Sequence, residues 1–180
     1  MLISIVRAAL LLFLLGFSAT GFAAAPAAST QPASGITSSS VVLNGVGLPN
    51  GQATTGYFRY SATDPGSCSD TFGTRTPSSG GASLGGGITS VPFSQPLSGL
   101  TPATTYYYCA IANNSLGTGL GAIKSFTTPA TAPGVTTSGA SSLTRTTGVL
   151  NGYANPGGDA TTGWFRYSSS SPGTCNDTFG

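Results

Sequence analysis

Ten charged side chains and three cysteines are all the ionic and thiol chemistry this chain carries. The acids are Asp64, Asp70, Asp159 and Asp177, and the sequence holds no glutamate and no histidine. Without imidazole, no Ser/His/Asp or Cys/His nucleophilic site can be assembled, and zinc sites that rely on histidine are excluded. Asp64 and Asp70 are close enough in sequence to be read as a carboxylate pair, the equipment of glycoside hydrolysis. Both lie in a Gly/Pro/Ser loop, with no basic or aromatic setting to raise a pKa. Asp70-Thr71 and Asp177-Thr178 are expected to make local side-chain turns instead. No enzyme activity, no metal and no cofactor are expected. Arg59 and Arg166 are flanked by Tyr57 and Trp164. An outward row of Tyr57, Arg59 and Tyr107 is a possible exposed binding face, able to stack on a sugar or a protein partner. Its plainer reading is cross-strand packing on a solvated sheet face. A net charge of +2 is far from the basic patch that nucleic-acid binding needs.

These few groups sit in an unusual background. Of the 180 residues, 27 are Gly and 12 are Pro, with 25 Ser and 26 Thr beside them. Residues 1–23 read as a secretory signal: Arg7 supplies the positive start, Ala8 to Phe17 the short apolar run, and Gly21-Phe22-Ala23 the small residues before cleavage. The apolar run is about half of the roughly 20 residues that a membrane anchor needs. The mature chain is therefore expected to be exported, with no membrane span after signal cleavage.

The chain then repeats itself with an offset of 107 residues. Leu43-Asn44-Gly45 returns as Leu150-Asn151-Gly152, and Gly56-Tyr57-Phe58-Arg59-Tyr60 as Gly163-Trp164-Phe165-Arg166-Tyr167. Pro65-Gly66-Ser67-Cys68-Ser69-Asp70-Thr71-Phe72-Gly73 returns as Pro172-Gly173-Thr174-Cys175-Asn176-Asp177-Thr178-Phe179-Gly180. From Ile36/Leu143 onward, 22 of 38 aligned pairs are identical without a gap. So long a period denotes whole domains in tandem rather than the 20 to 50 residue units of a solenoid. The expected division is one repeat with its linker over 24–132 and a truncated second copy over 133–180, frayed because it cannot bury its apolar face. On this reading the chain is a fragment of a longer array.

Alternation of apolar and polar residues places the strands. Val41, Leu43, Gly45 and Gly47 share one face, as do Phe58 and Tyr60, Phe93 and Leu97, and Tyr106, Tyr108, Ala110 and Ala112. Tyr57, Arg59, Tyr107, Cys109 and Ile111 point the other way. Ile123 and Phe126 mark a last strand. Turn signals fall between the runs, and no stretch of the mature chain has a 3.6-residue period. The expected fold class is an all-β sandwich.

The segment Leu100-Thr101-Pro102-Ala103-Thr104-Thr105-Tyr106, followed by Ala112-Asn113-Asn114 and Gly117, resembles the fibronectin type III family, as does the ending Ser125-Phe126-Thr127-Thr128-Pro129. The resemblance implies an immunoglobulin-like, fibronectin type III β-sandwich, of an exported bacterial tandem-repeat kind. It implies a structural tyrosine corner built from Leu100, Pro102 and Tyr106, in which the hydroxyl folds back onto a backbone group just upstream. One departure is clear. The family usually buries a Trp on its second strand, where this chain has Gly45 and Gly152, so Phe58, Tyr60 and Phe72 are expected to fill the space.

Cys68 and Cys109 lie in the same repeat, on or beside neighbouring strands of one sheet. In an oxidising compartment they are expected to pair, the alternative being two free thiols. Closing that loop should stabilise by roughly 3 to 4 kcal/mol in the chain-entropy model. The functional expectation is a secreted or cell-surface adhesive or structural spacer, whose partners are proteins or glycans and the neighbouring repeats of its own chain. The alternative is an accessory or carbohydrate-binding region of an extracellular hydrolase.

Overall fold

The computed structural model describes residues 23–180, so the expected signal segment lies outside the described residues except for Ala23. Among the described residues every regular element is a strand, and no helix is long and apolar enough to cross a membrane. The strands are β1 (Ala27–Ser34), β2 (Ser40–Leu48), β3 (Thr54–Ser61), β4 (Thr74–Thr76), β5 (Ala82–Gly85) and β6 (Val91–Ser98). They are followed by β7 (Thr105–Asn114), β8 (Gly117–Leu120), β9 (Lys124–Thr127), β10 (Gly134–Ser141) and β11 (Val149–Asn155).

One antiparallel sheet runs in the order β1-β2-β6. The second runs β4-β3-β7-β8, with β5 also paired to β3 and β9 also paired to β7. The two sheets pack face to face. Val41 and Leu43 of β2 and Phe93 and Leu97 of β6 meet Phe58 of β3, Tyr106, Tyr108, Ala110 and Ala112 of β7, and Phe126 of β9. These are the alternate positions that the period-2 pattern assigns to one face. Leu43, Phe58 and Tyr108 are completely shielded, and burial of side chains of this size is worth about 1.5–3 kcal/mol each.

The space over Gly45, where the resemblance set out above expected Phe58, Tyr60 and Phe72, is filled from β6. The rings of Phe93 and Phe58 lie 4.9 Å apart between centroids. A Cβ on Gly45 would fall 2.8 Å from Ala110 Cβ, 3.0 Å from the Phe93 ring and 3.2 Å from the Phe58 ring. Gly56, on β3, is equally crowded, with the Phe93 ring 3.0 Å from where its Cβ would be. Glycine is required here so that two sheets can close on one aromatic ring. Tyr60 is only half-buried at the margin of this core, and Phe72 is not in it at all but packs on the other face of the second sheet.

Strand β1 has no apolar alternation, and its one fully buried side chain is Thr30. The Thr30 Oγ1 accepts the Ala110 N–H at 3.0 Å, between the stretches of β7 that pair with β8 and with β9. That bond satisfies a buried backbone donor that would otherwise cost about 1–3 kcal/mol. The hairpin β10–β11 repeats β1–β2 at the 107-residue offset. Ala27↔Leu48 becomes Gly134↔Asn155, and the bulge between Gln31 and Ser34 becomes one between Ser138 and Ser141.

Gly45→Ala should lower stability by about 1–3 kcal/mol through overpacking. Gly87→Ala, where a Cβ would be 3.9 Å from its nearest neighbour, should stay within about 0.5 kcal/mol of the parent. Urea denaturation of the two variants checks this, and equal midpoints would show that Phe93 is not seated on Gly45.

Candidate functional site

The chemistry-bearing residues gather on the outer face of the second sheet, the side turned away from the sandwich core. In the β3–β7 register Tyr57 stands opposite Ile111, Arg59 opposite Cys109 and Ser61 opposite Tyr107. A strand pair with Tyr, Cys and Ile outward presents an apolar surface that must be covered or left wet. It is covered. The connection between β3 and β4 folds back over it, and Cys68 in that connection is bonded to Cys109, with the Cα atoms 6.0 Å apart. Tyr57, Cys109 and Ile111 form a second small core with Cys68, Phe72 and Ile123 against it.

Asp70 is the polar half of the same attachment. The Tyr57 hydroxyl donates to Asp70 Oδ2 at 2.7 Å, and Arg59 Nε donates to Asp70 Oδ1 at 3.2 Å. Arg59 Nη1 also reaches the carbonyls of Phe72 and Gly73, at 3.3 and 3.4 Å. From the neighbouring strand, the Arg75 guanidinium lies 3.9 Å over the Tyr57 ring and donates to the carbonyls of Pro77 and Gly80. A stacked guanidinium of this kind adds about 0.5–1 kcal/mol or more. Arg59 and Arg75 are directly opposed in register. Asp70 and four carbonyl oxygens absorb the charge that this places on one face.

Burial, first, and then the Asp70 carboxylate push the Tyr57 hydroxyl up to about 12. Burial also raises the Tyr108 hydroxyl, which donates to the Gln31 carbonyl at 2.8 Å on the core side.

The outward row of Tyr57, Arg59 and Tyr107 is thus not an exposed binding face. Tyr57 is 5% exposed, and Arg59 and Tyr107 are half-buried. The alternation identified the correct face, but the loop that shields it has no apolar signature of its own. Asp70 likewise is not a local turn residue. The turn acceptor in the second copy is Asn176, whose Oδ1 takes the N–H of Thr178 at 2.9 Å, while Asp177 reaches across to the strand. Trp164 Nε1 and Arg166 Nε donate to Asp177 Oδ1 at 3.0 and 3.1 Å. Those two bonds hold the Asp177 carboxyl below the ordinary carboxylate range. Tyr and Trp interchange at this position because each carries a ring and one donor. Asp64 does make a local turn, its Oδ1 accepting the Gly66 N–H at 2.8 Å.

At the tyrosine corner, the Thr101 N–H donates to the Tyr106 hydroxyl at 3.0 Å. Leu100 is buried and Pro102 half-buried beside it. The Tyr106 ring stacks on Phe126, with centroids 5.5 Å apart. Asn114, at the end of β7, ties the segment ahead of β1 to the strand end: its Nδ2 donates to the carbonyls of Ala24 and Pro49, and its Oδ1 accepts from Leu116 and Gly117.

Among the described residues no three His, Cys, Asp or Glu side chains are grouped as metal ligands. A groove of about 390 Å³ between the ends of β1 and β9 is lined by Pro32, Ala33, Ile36, Tyr108, Lys124, Ser125 and Phe126. Lys124 is its only charged group.

No family model and no curated protein matches the chain. Solved structures of the sensor domain of the anti-sigma factor RsgI4 from Pseudobacteroides cellulosolvens are similar to it. A short form is 18% identical with a TM-score of 0.40, covering 58% of this chain and 94% of that one. A long form is 18% identical with a TM-score of 0.39, covering 66% and 99%. A solution structure is 20% identical with a TM-score of 0.40, covering 57% and 74%. Likeness at this level carries no argument about what the chain does.

A raised phenol pKa means that folding favours the protonated ring. Its contribution is complete below the unfolded value near 10 and is lost as pH rises toward 12. Ring-carbon NMR should show Tyr57 still protonated at about pH 11, with stability falling between about pH 10 and 12. In Asp70→Asn its titration should move down, because the carboxylate that disfavours the phenolate is gone. Titration of Tyr57 near 10 in the parent would contradict the covered geometry.

Proposed function

We propose that this chain is a non-catalytic, exported, tandemly repeated protein of fibronectin type III-like domains, acting as a secreted or cell-surface adhesive or structural spacer. The observation that carries this reading is the use made of its few reactive groups. Asp70, Arg59, Tyr57 and Cys68–Cys109 all serve to fasten one loop to one sheet. The second copy spends Asp177, Arg166 and Trp164 in the same way. A carboxylate engaged by an arginine and an aromatic donor is poorly placed to act as a general acid or nucleophile.

The family assignment draws support from three features. The tyrosine-corner bond has the form expected of such sandwiches. With β4/β5 and β8/β9 each counted as one interrupted strand, the first unit has seven strands. The strand after β3 pairs with β3 rather than β6, unlike the constant-type immunoglobulin order, where the fourth strand joins the first sheet. Export is supported by the amino-terminal signal pattern and by a disulfide that a reducing cytosol would not sustain. With Tyr57 covered, a spacer needs no open face, and adhesion would use the loops or sheet edges.

Expressed from Met1, the chain should be recovered outside the cytoplasmic membrane, shortened by about 23 residues and with Cys68 joined to Cys109. It should leave a panel of glycoside, ester and peptide substrates unconsumed. Recovery in the cytosol with both thiols reduced, or turnover of any substrate by the purified chain, would overturn the proposal.

A further inference from the structure

The segment between the two copies is short, and it is bonded at both of its ends. Thr128, the residue after β9, is completely buried. Its N–H donates to the Thr104 carbonyl at 3.0 Å, and its Oγ1 accepts the Thr104 N–H at 3.0 Å while lying 2.7 Å from the Thr101 carbonyl. The next residue is held too, because the Ala103 N–H donates to the Pro129 carbonyl at 3.2 Å. Two residues later the chain is fastened to the second copy. The Thr131 N–H donates to the Gly157 carbonyl at 2.8 Å, and Thr131 Oγ1 donates to the same oxygen at 3.2 Å. This is the bond that Ala24 N–H makes to Asn50 in the first copy, at the 107-residue offset. Ala130 alone separates the two points of attachment.

A direct contact closes the joint. Ala103, in the corner loop of the first copy, has φ +49°, and Gly158, in the turn after β11, has φ +100°. A Cβ on Gly158 would stand 2.6 Å from Ala103 Cβ, so a side chain there is excluded both by space and by backbone conformation. The counterpart of Gly158 in the first copy is also glycine, Gly51 with φ +85°. Each copy therefore carries the smooth turn that such a seat needs.

We infer that consecutive copies are docked, with the corner loop 101–104 of one copy as the seat for the turn after the second strand of the next. The partner this surface takes is another repeat of the same kind. Corner, linker and turn form one hydrogen-bonded piece, so the array transmits orientation from copy to copy instead of flexing at each junction. A Pro/Thr/Ala linker of this length is semi-rigid by composition. Its bonds to both neighbours remove most of the freedom that remains. The inference rests on the tandem-array reading.

Amide ¹⁵N relaxation on the mature chain tests it. In the parent, amides of Val135 and Tyr153 should report the rotational correlation time found for β3 and β7. Inserting Gly-Ser-Gly-Ser between Ala130 and Thr131 should shorten the value at Val135 and Tyr153 at least about twofold, leaving β3 and β7 unchanged. Thr128→Val, which keeps the shape and removes the hydroxyl, should produce part of that shift. Independent tumbling of the hairpin in the parent, random-coil shifts at Val135 and Tyr153, or no response to the insertion would overturn the docked joint. Any of these would leave an exported but flexible array standing. Recovery of the chain in the cytosol would instead remove the array's proposed role without altering the joint.

Discussion

The structure depends on keeping β3 and β7 dry on both faces. On one side they meet β2 and β6 across the sandwich core. On the other they carry Tyr57, Cys109 and Ile111, with no second sheet to cover them. The available cover is a Gly-, Ser- and Pro-rich connection that has little apolar surface of its own. Hydrophobic burial cannot hold such a segment against its conformational entropy. The Cys68–Cys109 bond does so by removing the loop's freedom before folding, an effect of about 3–4 kcal/mol. That is a large part of the roughly 5–15 kcal/mol by which a domain of this size is stable. Asp70, Arg59 and Arg75 then fix how the cover lies, through directed bonds to Tyr57 and to the loop carbonyls.

Much of the sandwich can be read from alternation. The inward positions Val41, Leu43, Phe58, Phe93, Leu97, Tyr106, Tyr108, Ala110 and Ala112 are the buried ones. The runs they belong to are strands with the expected phase. Strands without an apolar stripe escape such a reading. Strand β1 buries mainly Thr30, and β4, β5 and β8 are three or four residues long. Alternation also says which residues share a face, and nothing about whether that face meets water. Tyr57 is the instance, because its burial depends on a loop tied down by a cysteine 41 positions away from its mate. Phe93 is another. Its pocket is made by glycines on β2 and β3, and glycine in a strand reads equally well as a bulge or a weak point. The bond between Asp70 and Arg59 was hidden by proximity: an Asp three residues before Gly73 looks local until the strands are placed.

The two copies share their local bonds across the 107-residue offset. Asn44 reaches the Pro32 carbonyl and Ser34 Oγ at 2.9 and 3.0 Å, and Asn151 reaches the Gly139 carbonyl and Ser141 Oγ, both at 2.9 Å. The Asp177 bonds to Trp164 and Arg166 reproduce those of Asp70. Yet Trp164 is 65% exposed where Tyr57 is 5%, and among the described residues no strand pairs with 161–168. Hairpin register and the Arg–Asp contact thus recur in both copies. In the first copy that face is kept dry by β7 and by the disulfide that ties the loop to it.

The most direct test of this account compares hydrogen exchange in the oxidised chain with that in the chain reduced and alkylated at Cys68 and Cys109. Reduction should first expose residues 62–73 and then the outward side of β3 and β7, with the β2–β6 pairing losing protection last. Unchanged exchange across residues 54–73 after reduction would show that the loop holds itself in place and that the disulfide is not what keeps this sheet dry.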